Sequence, residues 1–234
     1  FEKLGVLGDL ASYHLFEIVV SSFLVLVVFV MTAQYAGTFG GAVASLSVML
    51  YPLFFGESRF NIKDPLETTF YALTIYFFFL GVERKMARYF LFSSVACALA
   101  FGTKFNIEFV PFVLVPYCFV RFLPELRRYG VRVLTRIPRN IYLALLAYPV
   151  IVLGIHFMTR PYLWQDPIGR FLEIVRYYEG IGTGKFYRQG FIVNGWNTYP
   201  IFFVTISTPL VMLGLGAAGA IQSIRNVVRK KDAT

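Results

Sequence analysis

The chain has 234 residues, of which 57% are hydrophobic and only 15% charged, and its mean hydropathy is +0.64. A soluble domain of this length needs more charge to cover its surface, so a water-soluble globule is excluded. The formal charge of +9 would suit a nucleic-acid partner, but the cations sit between apolar blocks, and no nucleic-acid role is expected.

Seven apolar blocks follow in chain order: 14–33, 37–55, 66–82, 89–103, 105–121, 141–158 and 199–222. They are apolar throughout, where a soluble amphipathic helix would show a 3.6-residue stripe, and many of the 26 Phe and 15 Tyr flank them. The expected fold is all-α: a polytopic membrane helix bundle of about seven spans, forming a single domain over residues 1–234. The fourth and fifth blocks are short for a bilayer of about 30 Å. Tilt, local thinning or one broken unit would accommodate them.

Basic residues orient the bundle. Arg84, Lys85 and Arg88 follow block three, and Arg121, Arg127, Arg128, Arg132, Arg136 and Arg139 follow block five. Arg225, Arg229, Lys230 and Lys231 follow block seven. These thirteen cations meet only Glu83, Glu125 and Asp232, giving one face a net +10. The remaining nine basic and ten acidic residues leave the other face at −1. The positive-inside rule makes the first face cytoplasmic. Both loops around blocks four and five are basic, so the chain between them crosses an even number of times, turning at Gly102-Thr103-Lys104. The outer face then holds residues 1–13, the loop 56–65, the turn at Lys104 and a long loop, 159–198.

The loop from Gly56 to Pro65 is the densest polar cluster at a membrane boundary. Glu57, Arg59, Lys63 and Asp64 lie within eight residues of one another there. A helical cap at Asp64 and pairing of Arg59 or Lys63 with Glu57 would explain them structurally. Lys104 lies between two apolar blocks, where an ammonium either snorkels or meets a partner, Glu108 being four residues on. Ile168, Phe171, Leu172, Val175 and Tyr178 recur at near-helical spacing and predict an amphipathic helix on the outer surface. Gly180, Gly182 and Gly184 follow no strand, so they make a poor nucleotide cradle. The two histidines, His14 and His156, belong to no ligand cluster, and Cys97 and Cys118 lie in apolar blocks. Neither a metal site nor a cofactor is expected.

Four stretches together resemble one family. Glu57-Ser58-Arg59-Phe60 through Lys63-Asp64-Pro65 is similar to an outer loop entering a span. Ala98-Leu99-Ala100-Phe101-Gly102-Thr103-Lys104 resembles a glycine-then-lysine turn. Leu163-Trp164-Gln165-Asp166-Pro167-Ile168-Gly169-Arg170 and Tyr199-Pro200 with Thr208-Pro209-Leu210 resemble two further segments. All four fall on the outer face. The family is the protein O-mannosyltransferase-like branch of the C superfamily of membrane glycosyltransferases. The resemblance implies transfer of a sugar from a dolichyl- or undecaprenyl-phosphate donor to a hydroxyl on a protein, glycan or lipid. Reaction on the extracytoplasmic face of a prokaryotic plasma membrane, or in the endoplasmic reticulum of a eukaryote, would be inverting. Arg59 and Lys104 would contact phosphate. Glu57, Lys63 and Asp64 would order the loop or touch the sugar, and Trp164, Asp166, Tyr187 and Arg188 would contact donor or acceptor. The family's catalytic acid lies in a first outer loop that this chain, starting at Phe1, is expected to lack, and a piece of this kind would transfer no sugar alone. A transporter or lipid flippase, or a non-catalytic membrane subunit, are the rival readings. Inverted repeats would mark a transporter, and none is found.

Overall fold

The structure, a computed structural model, describes residues 8–61, 63–183, 192–193 and 196–232. Helix α1 covers Asp9–Met49 but is not one rod. Gly37 has φ 70° and ψ 175°, outside the helical region and open to glycine without penalty. A Cβ placed on Gly41 would lie 2.9 Å from the Phe29 carbonyl oxygen and 2.9 Å from the Ala33 Cβ. In a straight helix residues 29 and 41 would be about 18 Å apart, so the chain folds back at Gly37. The expected blocks 14–33 and 37–55 are thus separate arms, closely packed because Gly41 has no side chain.

Helix α2 (Pro52–Phe60) completes the second arm, and the Phe60 ring meets His14 edge-on at 6.0 Å. Next come α3 (Asp64–Arg84) and α4 (Ala87–Thr103). A 3-10 segment, Phe105–Phe109, leads into α5 (Val110–Tyr129), and a second, Gly130–Arg136, precedes α6 (Arg139–Thr159). Helix α4 is central, packed against α3 and α6. Its contact face is small: Ser93, Ser94, Ala98 and Ala100 are all fully buried. Small residues let backbones approach where burial of apolar surface cannot drive association, and hydroxyls add cross-links. Ser93 Oγ donates to the Thr74 carbonyl at 2.8 Å and lies 3.0 Å from the Tyr148 hydroxyl, tying α3, α4 and α6 together.

Two ion pairs mark the ends of this unit. Lys104 meets Asp64 at the start of α3, and Arg121 Nε meets Glu83 Oε1 at its end, 3.0 Å away. The α3 rise between those carboxylates is about 28 Å, close to the thickness of a bilayer's hydrocarbon. Blocks four and five are therefore separate helices running in opposite directions, and the 17-residue α4 is shorter than the helices long enough to span.

Four described helical segments are long and apolar enough to cross a membrane, or five if a bent pair counts as one. The bent pair corrects the expected block 199–222. The chain bends by 120° between helix α8 (Tyr199–Ser207) and α9 (Leu210–Asp232), at Pro209. Thr208 before the proline is extended (φ −94°, ψ 127°), as proline requires of its predecessor. The expected long loop is also largely structured. Pro161–Leu163 forms a 3-10 turn, α7 spans Pro167–Thr183, and two-residue strands Ile192–Val193 (β1) and Trp196–Asn197 (β2) pair antiparallel. Within α7, Phe171, Ile174, Val175 and Tyr178 pack on a core that includes Phe101, Ile107 and Leu114, while Ile168 and Leu172 stay exposed. The amphipathic helix is therefore present and docks on the bundle. Outward faces of α1, α5 and α6 carry exposed apolar residues such as Phe16, Phe112 and Val150, as contact with lipid tails demands.

Candidate functional site

The polar loop is built around Asn61. Its Nδ2 donates to Glu57 Oε2 at 2.6 Å, and its Oδ1 accepts the backbone N–H groups of Lys63 (3.0 Å) and Asp64 (3.1 Å). Asn61 thus supplies the acceptor that opens α3, by the same chemistry as an N-cap. The alternative role for Asp64, a cap on this helix, is not seen: it stands inside the first turn and makes no such bond. The alternative pairing of Arg59 or Lys63 with Glu57 is also absent among the described residues. Glu57 is committed to Asn61, and the exposed Arg59 guanidinium lies 4.2 Å from the Phe55 ring centroid.

Freed from capping, Asp64 reaches another element. Its Oδ1 accepts a hydrogen bond from Lys104 Nζ at 2.7 Å. Lys104 closes α4 in an extended conformation (φ −151°, ψ 152°). That break in helical geometry removes Glu108 as a candidate partner, since i,i+4 proximity needs an unbroken helix. Burial pushes the Lys104 ammonium towards neutrality, but the hydrogen bond and charge of Asp64, with the charge of Glu67, outweigh it and hold its pKa above the ordinary value. Lys104 and Asp64 are both partly exposed.

Several contributors were not singled out from sequence. Glu67, one turn along α3 from Asp64, is only 8% exposed, and its Oε1 has no hydrogen-bond partner among the described residues. An acid within an apolar block was its only signal. Arg160, at the end of α6, donates through one guanidinium nitrogen to the carbonyls of Phe101 and Gly102, both at 3.3 Å. It satisfies the last carbonyls of α4 and brings a cation to that helix's negative end. Buried His156 stacks on Phe101 at 3.8 Å beneath it. The start of α3 and the ends of α4 and α6 therefore converge around Lys104. Beside them, a cavity of about 760 Å³ runs between α4, α5 and α6, lined by Phe101, Ile107, Glu108, Leu114, Tyr148 and Val152 among others.

Other expected site residues have partners of their own. Trp164 Nε1 donates to the Phe157 carbonyl at 2.9 Å, and Asp166 Oδ1 accepts the Gly169 N–H at 3.0 Å, starting α7. Lys63 is exposed, and only its backbone bonds to the cap. Tyr187 and Arg188 lie outside the described residues.

The geometry is that of a membrane protein with a Lys104–Asp64 ion pair at one end, beside an apolar cavity. Residues 6–153, more than half of the chain, match the family model described as dolichyl-phosphate-mannose-protein mannosyltransferase. The chain belongs to this family. It is a multi-pass membrane protein of mannosyltransferase type, and the match contains both Asp64 and Lys104. No curated protein and no solved structure matches it.

Proposed function

We propose that the protein transfers a sugar from a polyprenyl-phosphate-linked donor to a hydroxyl acceptor at the extracytoplasmic face. The observation that carries this reading is the Asp64–Lys104 pair, placed at the bundle end beside an apolar cavity of about 760 Å³. An ammonium has three N–H donors. Asp64 takes one, leaving others for a lipid phosphate whose charge grows as the glycosidic bond breaks. The polyprenyl chain would enter the cavity between α4, α5 and α6, its phosphate at Lys104. A carboxylate would deprotonate the acceptor hydroxyl for in-line, inverting attack at the anomeric carbon. Glu57 and Asn61 hold the loop, and Arg160 fixes the carbonyl end of α4 beneath Lys104. Arg59, Lys63, Trp164, Asp166, Tyr187 and Arg188 remain proposed donor or acceptor contacts from outer segments.

We further propose one domain with seven crossings: two arms of α1–α2, one each for α3 to α6, and the bent α8–α9 pair. The basic ends face the cytoplasm, in a prokaryotic plasma membrane or the endoplasmic reticulum. The test is transfer of labelled sugar by the intact protein in vesicles. Transfer from a polyprenyl-phosphate donor, and none from a nucleotide sugar, is expected. Transfer from the nucleotide sugar, or movement of lipid across the bilayer without transfer, would reject the reading.

A further inference from the structure

The end of the bundle opposite Lys104 is crowded with cations that the proposed reaction does not use. Arg84, Lys85, Arg88, Arg121, Arg127, Arg128, Arg132, Arg136 and Arg139 gather there with Glu83 and Glu125. Of these nine, and among the described residues, Arg121, bonded to Glu83, is the one cation in an ion pair. Several others rest on aromatic faces: Arg84 and Arg88 over Tyr89, Arg128 and Arg136 over Tyr129. Charge orientation by the positive-inside rule needs basic residues in these loops but does not need any of them to line a cavity.

Two of them do line one. A cavity of about 270 Å³ opens between α3, α5, the 3-10 segment Gly130–Arg136 and the start of α6. Lys85, in the left-handed conformation that ends α3 (φ 51°), and Arg136 contribute to its wall, with Glu125 as the lone carboxylate. The rest is mostly apolar, including Phe90, Phe122 and Ile141. Phe78, Cys118 and Leu145 belong to this cavity and also to the larger one between α4, α5 and α6, so the two adjoin inside the bundle. The Arg136 guanidinium lies 3.8 Å from the Tyr129 ring centroid, which fixes its plane while leaving its edge for hydrogen bonds.

We propose that this cavity is a binding site for an anionic phospholipid. Lys85 and Arg136 hold the headgroup phosphate, and an acyl chain runs inward past Phe78, Cys118 and Leu145. Two cations against one carboxylate select a negative headgroup, and basic pockets between spans are suited to such lipids. The apolar depth selects a lipid over a free anion, because a small anion would leave that wall without a partner. Its headgroup position lies at the opposite end of α3 from Lys104, apart from the proposed phosphate position of the transfer site, although the two cavities share Phe78, Cys118 and Leu145.

The intact protein, reconstituted in equimolar phosphatidylglycerol and phosphatidylcholine, would be released into detergent and its retained lipids counted by native mass spectrometry. About tenfold preference for phosphatidylglycerol is expected, from two cations at the membrane surface partly offset by Glu125. The Lys85→Gln/Arg136→Gln variant should lose that preference. Arg127→Gln/Arg132→Gln removes equal charge from the same end, outside the cavity wall, and should keep it. Val133→Trp, which fills the cavity without altering charge, should also lose the lipid, giving a second reading if the glutamine pair folds poorly. Equal retention of the two lipids by the unaltered protein would overturn the proposal. So would loss of preference in the Arg127/Arg132 variant to the same degree as in the Lys85/Arg136 variant, which would assign the effect to general surface charge.

Discussion

An acid at the start of a helix is ordinarily read as a cap, and here that role passes to its neighbour. Asn61 accepts the N–H groups of Lys63 and Asp64, so Asn61→Ala should destabilise the fold by about 1 kcal/mol. Asp64→Ala should leave the start of α3 in place while releasing Lys104. Amide exchange at residues 63–67 separates the two: faster exchange in the Asn61 variant alone supports this assignment, and faster exchange in the Asp64 variant alone returns the cap to Asp64. The pair also sets a pH response. The folded Lys104 pKa lies above the ordinary lysine value of about 10.4, so the pair's contribution is fully present below that value and is lost as pH rises through the raised one. Stability of the wild type relative to Lys104→Met should therefore hold constant from pH 6 to 9 and shrink only in stronger alkali. A loss beginning near pH 8 would mean the ammonium is not held in this way.

At the scale of elements, much was legible because apolar blocks in a membrane need no partner to be recognised. Blocks 66–82, 89–103 and 141–158 fall inside α3, α4 and α6. Block 105–121 begins as a 3-10 turn and extends to Tyr129, since length in an apolar run does not reveal which hydrogen-bond pattern starts it. The bend at Pro209 was hidden because mean hydropathy does not register backbone conformation. Candidate-site residues were legible one by one, at Asp64 and Lys104, but their pairing was not. They are 40 positions apart, and only antiparallel packing of α3 and α4 joins them. Glu67 and Arg160 escaped for the same reason, each gaining its meaning from a neighbouring helix. The fold-back at Gly37 gives a direct test at this scale. Gly41→Leu should destabilise the fold by about 1–3 kcal/mol, because a side chain there would meet the Phe29 carbonyl of the facing arm. A straight helix would hold residues 29 and 41 about 18 Å apart, so unchanged stability in that variant would contradict the two-armed α1.

For the whole molecule, two ion pairs about one bilayer thickness apart and a strong asymmetry of basic residues describe a bundle with distinct ends. In a cysteine-free background, Ser58→Cys and Thr183→Cys should react with an impermeant reagent applied to intact cells, and Arg132→Cys should not. Reaction at position 132 would invert the orientation and move the proposed transfer site to the cytoplasm. The central functional claim is that Lys104, positioned by Asp64, carries the donor phosphate. Its most direct test is kcat/KM for a polyprenyl-phosphate sugar in the intact enzyme and in Lys104→Ala. Loss of one charge-assisted phosphate bond is worth roughly 1.5–3 kcal/mol, so a fall of about one to two orders of magnitude is expected with the fold intact. Asp64→Asn should fall less, and little further in the double variant. An unchanged kcat/KM in Lys104→Ala would contradict the account.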